Sequence, residues 1–450
     1  MSASIGTTGT GMKLHNKILL GLLVGASLGV LANQTLGGKH PLVEGINHYV
    51  AGPIGQIFLR MLFMIVIPLV FASISLGVAG LGDIRRVGRV GGKALGYFFG
   101  TTAMAAVVGL ILVSIVRPGS RLDPAVRAEL IQTYATDATS KVEAAATTTF
   151  GIETLVNVVT RNPVKSAVDL DLLGIIFFAL MFGAALTMIP TEKSQPMIAV
   201  LEALEAVVIK IVGVAMRLAP YGVTGLIFGV TSRFGFYLLK PLASYIVVVL
   251  LALFLHVAVN ISAIIRFAVG MSPVLFFSRI RSALVTAFST SSSSATLPTA
   301  IATAEQNLGI PSKIAGFVLP LGSTMCMNGT ALFEGITVIF LCQVFGVELS
   351  LGQMIVVMVM SVITAIGAAG VPGGSIPLLV GILTMFGVPG EGIALILGVD
   401  RILDMARTTV NVCGDLSATA FIARSEKVWD ASMVPAVEGL DSGGRSEAAA

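Results

Sequence analysis

The sequence predicts an all-α polytopic membrane protein, on its composition, its repeated long apolar runs and the lack of strand-type alternation within them. Of 450 residues, 55% are apolar and only 12% charged, against about a quarter charged in soluble domains. The runs are long enough to cross a bilayer core as helix, which takes roughly 20 residues. Bacterial-type transmembrane barrels alternate apolar and polar residues in short segments instead.

Residues 1–12 and 430–450 are small and polar and read as disordered tails. The run ILLGLLVGASLGVLA follows Lys13 and Lys17. It has the look of a signal peptide, but the many spans behind it favour a retained first helix. IFLRMLFMIVIPLVFASISLGVAG is the next span, and GDIRRVGRVGGK, residues 82–93, sets four positive charges against one Asp. Positive charge marks that loop as cytoplasmic, and counting spans backward puts the N-terminus inside as well. ALGYFFGTTAMAAVVGLILVSIV then crosses outward, so the stretch from Arg117 to Asp171 reads as an external excursion. LLGIIFFALMFGAALTMI and PLASYIVVVLLALFLHVAVNISAII are further spans.

Beyond Arg266 small and polar clusters interrupt the apolar runs: STSSSSATLP, PLGSTMCMNGTALFEG and TAIGAAGVPGGSIP. The first packs seven hydroxyls into eight residues, 289–296. Non-helical backbone at membrane depth must be satisfied by protein or by a water-lined cavity, so interrupted or re-entrant helices are what a secondary transporter's binding site requires. The serine block and GVPGG read as a pair of hairpin tips, which suggests an internal inverted repeat. A plain polar turn outside the membrane is the other reading of each.

The last run, LILGVDRILDMARTTVNVCGDLSATAFIA, carries charge on one face. At about 100° per residue, Asp400, Asp404, Arg407, Asn411 and Asp415 fall within one arc. A charge at mid-bilayer costs on the order of 3 kcal/mol on the lenient scale, so such residues face a protein interior and are functional by default. Buried ion pairs that merely fix helix register, such as Asp404 with Arg407, are the alternative. An excess of carboxylate invites a cation, and a buried Arg suits a substrate carboxylate through its fork. Cys326, Cys342 and Cys413 lie in apolar segments and, with four scattered histidines, suggest no metal site. Neither the GxSG of an intramembrane serine protease nor the GxxxxGK[ST] of an ATP-driven pump occurs, so no enzymatic activity is expected.

The serine block, MNGT, GVPGG and DMARTTVNVCGD, in that order, resemble the excitatory amino acid transporter family, the dicarboxylate/amino acid:cation symporters, over residues 13 to 425. The resemblance implies eight transmembrane helices, two re-entrant helical hairpins and inverted repeats in an elevator-type transporter of the cell's inner (plasma) membrane. It implies a homotrimer with both termini cytoplasmic, no resident cofactor and no nucleic acid partner. Residues 13–80 and 150–235 would form the trimerising scaffold. Residues 92–117 and 238–425 would form the moving transport part, with hairpins near 272–305 and 350–388.

By the same resemblance the cargo is glutamate or aspartate, taken up with sodium or protons. Arg407 would grip the side-chain carboxylate and Asp404 the α-amino group. Asn411 with the Ser292 and Ser293 backbone would hold the α-carboxylate, Thr330 and Thr408 would line the pocket, and Val371 and Gly373 would belong to the outer gate. Asp415 with carbonyls of Gly322, Cys326 and Asn411 resembles one sodium site, and carbonyls near Thr324, Ala365, Ile366 and Ala368 a second. A C4-dicarboxylate:cation symporter is the alternative, since it needs Arg407 but has no amino group for Asp404.

Three departures stand out. Sodium-coupled members read NMDGT where Cys326 to Thr330 read CMNGT, and a sodium-site tyrosine is Phe98 here, although Thr101 and Thr102 keep hydroxyls beside it. Glu334 matches the glutamate that proton-coupled members use as carrier; a polar residue lining a cavity is the other reading. The hairpin arginine of archaeal members is Ser291 here; Arg401 lies on the last helix instead, though not at the place the animal transporters use, and is left without a role.

Overall fold

The computed structural model describes residues 14–80, 84–122, 126–128, 159–168, 172–366, 368, 373 and 375–435. Among these residues the chain is helical, without strands. Most of the expected external excursion, most of GVPGG including Val371, and residues 1–12 lie outside them.

The first half is built on α1 (Leu14–Leu36), α2 (Pro41–Ile46), α3 (Gly52–Phe63), α4 (Val66–Gly80) and α5 (Ile84–Val116). The short α6 (Pro163–Val168), then α7 (Leu172–Met188) and the long α8 (Thr191–Phe234) follow. Helices α1, α3 and α4 pack along α8, and α7 packs on α4. The α1–α8 contact is close because α1 carries Gly21, Gly25 and Gly29 at four-residue spacing. A methyl at Gly25 would lie 2.6 Å from the Thr224 carbonyl oxygen, so this small-residue stripe lets the backbones touch.

The second half comprises α9 (Leu239–Leu255), α10 (Pro273–Thr290), α11 (Ser293–Ala302), α12 (Ser312–Met325), α13 (Asn328–Val344), α14 (Leu351–Ile366), α15 (Ile376–Met385) and α16 (Ala394–Ser425). Helix α5 joins it by packing on α13, and α10, α12 and α13 pack on α16. Among the described residues five stretches are long and apolar enough to cross a membrane by length and composition: 16–36, 41–79, 89–120, 239–269 and 312–344.

Two helical hairpins interrupt the second half where the polar clusters fall. In the first, α10 ends at Ser291, which turns the chain with left-handed φ 51° and ψ 35°. Ser292 then caps α11, its Oγ accepting from the Ala295 N–H at 3.1 Å, and the Ser292 N–H donates to Thr290 Oγ1 at 3.2 Å. Hydroxyls thus satisfy the backbone of a tight turn, as Ser and Thr do at N-caps. The second hairpin pairs α14 with α15, and of its tip Gly373 takes φ +74°, a conformation suited to glycine.

Residues 430–435, expected to belong to a disordered tail, are held against the fold, and residues 436–450 lie outside the described residues. Trp429 is buried and its Nε1–H donates to the Leu308 carbonyl at 2.8 Å, while Arg279 donates to the Pro435 carbonyl. These anchors hold the chain through residue 435 against α10 and the 308 turn. A small polar composition conceals them, because their partners lie 121 and 156 positions away in the sequence.

Candidate functional site

The site is built where α16 crosses the broken α12–α13 helix and the two hairpin tips. Helix α12 stops at Met325, Cys326 and Met327 are non-helical (φ −95°, ψ 70° and φ −101°, ψ 52°), and α13 restarts at Asn328. This break lets the restart approach α16 closely. A methyl at Gly329 would sit 2.5 Å from the Arg407 carbonyl oxygen, so glycine is required there.

Asn411 of α16 ties the restart down. Its Oδ1 accepts from the N–H groups of Gly329 at 2.8 Å and Thr330 at 3.4 Å, and its Nδ2 donates to Thr330 Oγ1 at 3.1 Å. Two N-terminal donors of α13, which have no partner inside their own helix, are satisfied from α16. In the described structure Asn411 is therefore a brace, a role the sequence reading missed. Thr330 is part of it, and Thr408 is buried beside it on α16.

The charged arc is buried as expected: Asp400, Asp404, Arg407, Asn411 and Asp415 are each less than 5% exposed. Asp404 is the centre. Its Oδ1 accepts from Arg407 Nη2 at 2.5 Å, and its Oδ2 accepts from the Gly373 N–H of the second hairpin at 3.2 Å and from Arg401 Nη1 at 3.5 Å. The Arg407 guanidinium also stacks over Phe333, 4.3 Å from the ring centroid, and its Nη1 lies 3.8 Å from Asp400 Oδ1. Helical spacing of three and four residues puts these groups on one face. Sequence reasoning left Arg401 without a role and did not name Phe333, although an aromatic one helix turn beyond Thr330 was a usable signal.

Asp415 lies one helix turn beyond Asn411. Its Oδ1 is buried without a partner, and it faces the backbone of Gly322, where a methyl would lie 2.7 Å from it. Cys326 is buried in the break. Thr324, Ile366 and Ala368 line one cavity of about 490 Å³ together with Ser294 of the first hairpin and Glu205 of α8. Residues of both hairpins and of the broken helix therefore share one space. Ala365 borders it in sequence, its carbonyl accepting from the Ala368 N–H at 3.1 Å. Ser292 and Ser293 are buried at the first hairpin's turn.

Glu334, on α13, is fully buried. Thr364 of α14 donates to its Oε2 at 2.6 Å, and its Oε1 has no partner. Asn328 Oδ1 accepts from Thr102 at 2.8 Å and lies within 3.3 Å of the Thr101 hydroxyl, while its Nδ2 has no partner. Among the described residues no group of three or more His, Cys, Asp or Glu is arranged to hold a metal ion.

Paired helical hairpins, a broken helix and a buried ionisable cluster where they meet define a secondary transporter of the multi-pass membrane type. The family profile described as the sodium:dicarboxylate symporter family matches residues 14–425, and the chain belongs to that family. It is 34% identical over 423 residues to the proton/glutamate-aspartate symporter of Escherichia coli (strain K12), covering 94% of this chain and 95% of that protein. It is 34% identical over 406 residues to the proton/sodium-glutamate symport protein of Geobacillus stearothermophilus, covering 90% and 93%. To the C4-dicarboxylate transport protein of Bacillus subtilis (strain 168) it is 35% identical over 391 residues, covering 86% and 90%. The protein is a symporter and not an enzyme.

Proposed function

We propose that this chain takes up acidic amino acids, glutamate or aspartate, in symport with sodium or protons. The observation that carries the reading is the buried Asp404–Arg407 pair directly beneath Gly373 of the second hairpin. A guanidinium and a carboxylate side by side match the carboxylate and ammonium of an amino acid with opposite charges, and each partner can be exchanged for a substrate group without stranding a buried charge. Arg407 takes the side-chain carboxylate and Asp404 the ammonium. Ser292, Ser293, Thr330, Thr408 and Asn411 complete the pocket, and Val371 and Gly373 cover it.

Cations neutralise what remains. Asp415 with carbonyls of Gly322, Cys326 and Asn411 holds one sodium ion, and Thr324, Ala365, Ile366 and Ala368 supply the oxygens of a second. Oxygen-rich, carbonyl-based surroundings suit a hard cation. Glu334 carries a proton, because a buried acid is held more cheaply neutral than ionised. Residues 92–117 and 238–425 move as an elevator against residues 13–80 and 150–235, in a trimer of the plasma membrane with both termini cytoplasmic.

A C4-dicarboxylate cargo is the second reading, favoured by the Arg401 contact to Asp404 and by the name of the Bacillus subtilis relative. Uptake of labelled aspartate, glutamate and succinate into proteoliposomes under imposed sodium or proton gradients tests both. Accumulation of an acidic amino acid driven by either gradient is the expected result, and accumulation of none of the three removes the proposal.

A further inference from the structure

Two guanidinium groups meet at one carboxylate. Asp404 offers Oδ1 to Arg407, and Oδ2 to Arg401 and the Gly373 N–H. From residue 400 to 407 the charges are Asp400, Arg401, Asp404 and Arg407, all of them buried, so this segment is balanced before any ligand arrives. Asp404 is not short of positive charge. A ligand carrying an ammonium has to displace a guanidinium from it, and a ligand without one needs a guanidinium to stay.

The two arginines differ in how firmly they are held. Arg407 is held by Asp404 at 2.5 Å, Asp400 at 3.8 Å and the Phe333 ring at 4.3 Å. Among the described residues Arg401 has a 3.5 Å contact to Asp404 alone, and its buried Nε has no partner. Arg401 is therefore the guanidinium that can leave.

We propose that Arg401 is a specificity-determining residue that lets one pocket take both C4-dicarboxylates and acidic amino acids. With a C4-dicarboxylate bound, Arg401 stays on Asp404 and keeps it neutralised. With an amino acid bound, the substrate ammonium takes Asp404 Oδ2 and Arg401 swings off. The inference rests on reading the Asp404–Arg407 pair as the substrate site.

The test uses the full chain in proteoliposomes, with labelled aspartate and succinate uptake measured on the same vesicles so that protein amount cancels from their ratio. Replacing Arg401→Gln should raise the aspartate-to-succinate ratio on the order of tenfold, because it leaves Asp404 uncompensated only when no ammonium is bound. Arg401→Lys, which keeps a point charge, should restore most of the succinate uptake. The double variant Arg401→Gln with Asp404→Asn should recover succinate relative to Arg401→Gln alone, since no charge is left to neutralise. If Arg401→Gln yields no folded protein, the lysine and double variants still decide the matter against the parent. An unchanged ratio, an equal loss of both substrates, or a parent that takes only one of them overturns the inference. Arg407→Cys separates it from the site reading: loss of both substrates there retains the site even when the Arg401 ratio does not move, whereas undiminished transport removes the site itself.

Discussion

Replacing Asn411 with Ala should weaken the fold at one identifiable place. The side-chain amide is the partner of the buried Gly329 N–H at 2.8 Å and, more weakly, of the Thr330 N–H at 3.4 Å. Both donors belong to the first turn of α13, and the residues before it, Cys326 and Met327, are non-helical, so no carbonyl of the same helix can take over. Leaving a buried donor unsatisfied costs about 1–3 kcal/mol. One well-formed and one long bond lost together give about 2–4 kcal/mol. The assay is the half-life of the detergent-solubilised protein at a fixed elevated temperature, with amide hydrogen exchange at Gly329 as the local readout. Thr409→Ala is the control, because the Thr409 hydroxyl only donates to the Met405 carbonyl of its own helix. The expected result is a much shorter half-life and faster exchange at Gly329 in Asn411→Ala, and near-parent behaviour in Thr409→Ala. Equal half-lives in the two variants, with Gly329 still protected, would refute the brace.

Other substitutions address the chemistry. Arg407→Cys should abolish acidic amino acid uptake and admit small neutral amino acids, checked by labelled serine and aspartate; intact aspartate uptake would contradict the assignment. Asp404→Asn should reduce aspartate uptake far more than succinate, since an unpaired buried ammonium costs roughly 2–5 kcal/mol, and equal losses would point to a structural role. Glu334→Gln should keep substrate exchange but lose acceleration by an inward proton gradient, measured at several external pH values with the potential clamped; a variant that follows the parent at every pH would leave Glu334 as a polar lining residue.

Much of this arrangement was legible because lipid makes polar residues conspicuous. Seven hydroxyls in residues 289–296 stood out against apolar flanks, and they form the turn of the first hairpin. The arc from Asp400 to Asp415 is fixed by helical period alone, so its burial followed from the cost of charge in a membrane. What escaped was everything that depends on contact between distant segments. Nothing local says that Asn411 reaches the Gly329 N–H 82 positions away, or that Thr364 meets Glu334. Arg401 was visible but ambiguous: a rotation of 100° from Asp400 leaves its long side chain free to turn either way, and sequence alone does not say that it turns toward Asp404. That residues 430–435 are held on the fold escaped for a related reason, since Trp429 beside them gains its anchoring role from the Leu308 carbonyl.

The coupling ions of the proposed cycle are constrained by where unpaired oxygen remains. At Asn328 the amide is uncharged, its oxygen already accepts from Thr102, and Phe98 brings no hydroxyl. A hard cation needs several oxygens, preferably charged, and this corner offers it no charge and only the Asn328 amide oxygen with the Thr101 and Thr102 hydroxyls, already engaged with one another. Negative charge without a complete set of partners persists at Asp415 and Glu334, each with one buried oxygen unpaired. The two differ in surroundings. Asp415 abuts the Gly322 backbone beside the helix break, where the Gly322 carbonyl accepts from the Cys326 N–H with a lone pair to spare and the following carbonyls end the helix, so several oxygens can converge on an ion. Glu334 is packed within α13 against one hydroxyl, that of Thr364. A carboxylate with one hydroxyl beside it is enough for a proton and falls short of the several oxygens a hard cation takes. On the proposed reading sodium belongs to Asp415 and a proton to Glu334, and replacing each by its amide should remove dependence on one gradient while leaving dependence on the other.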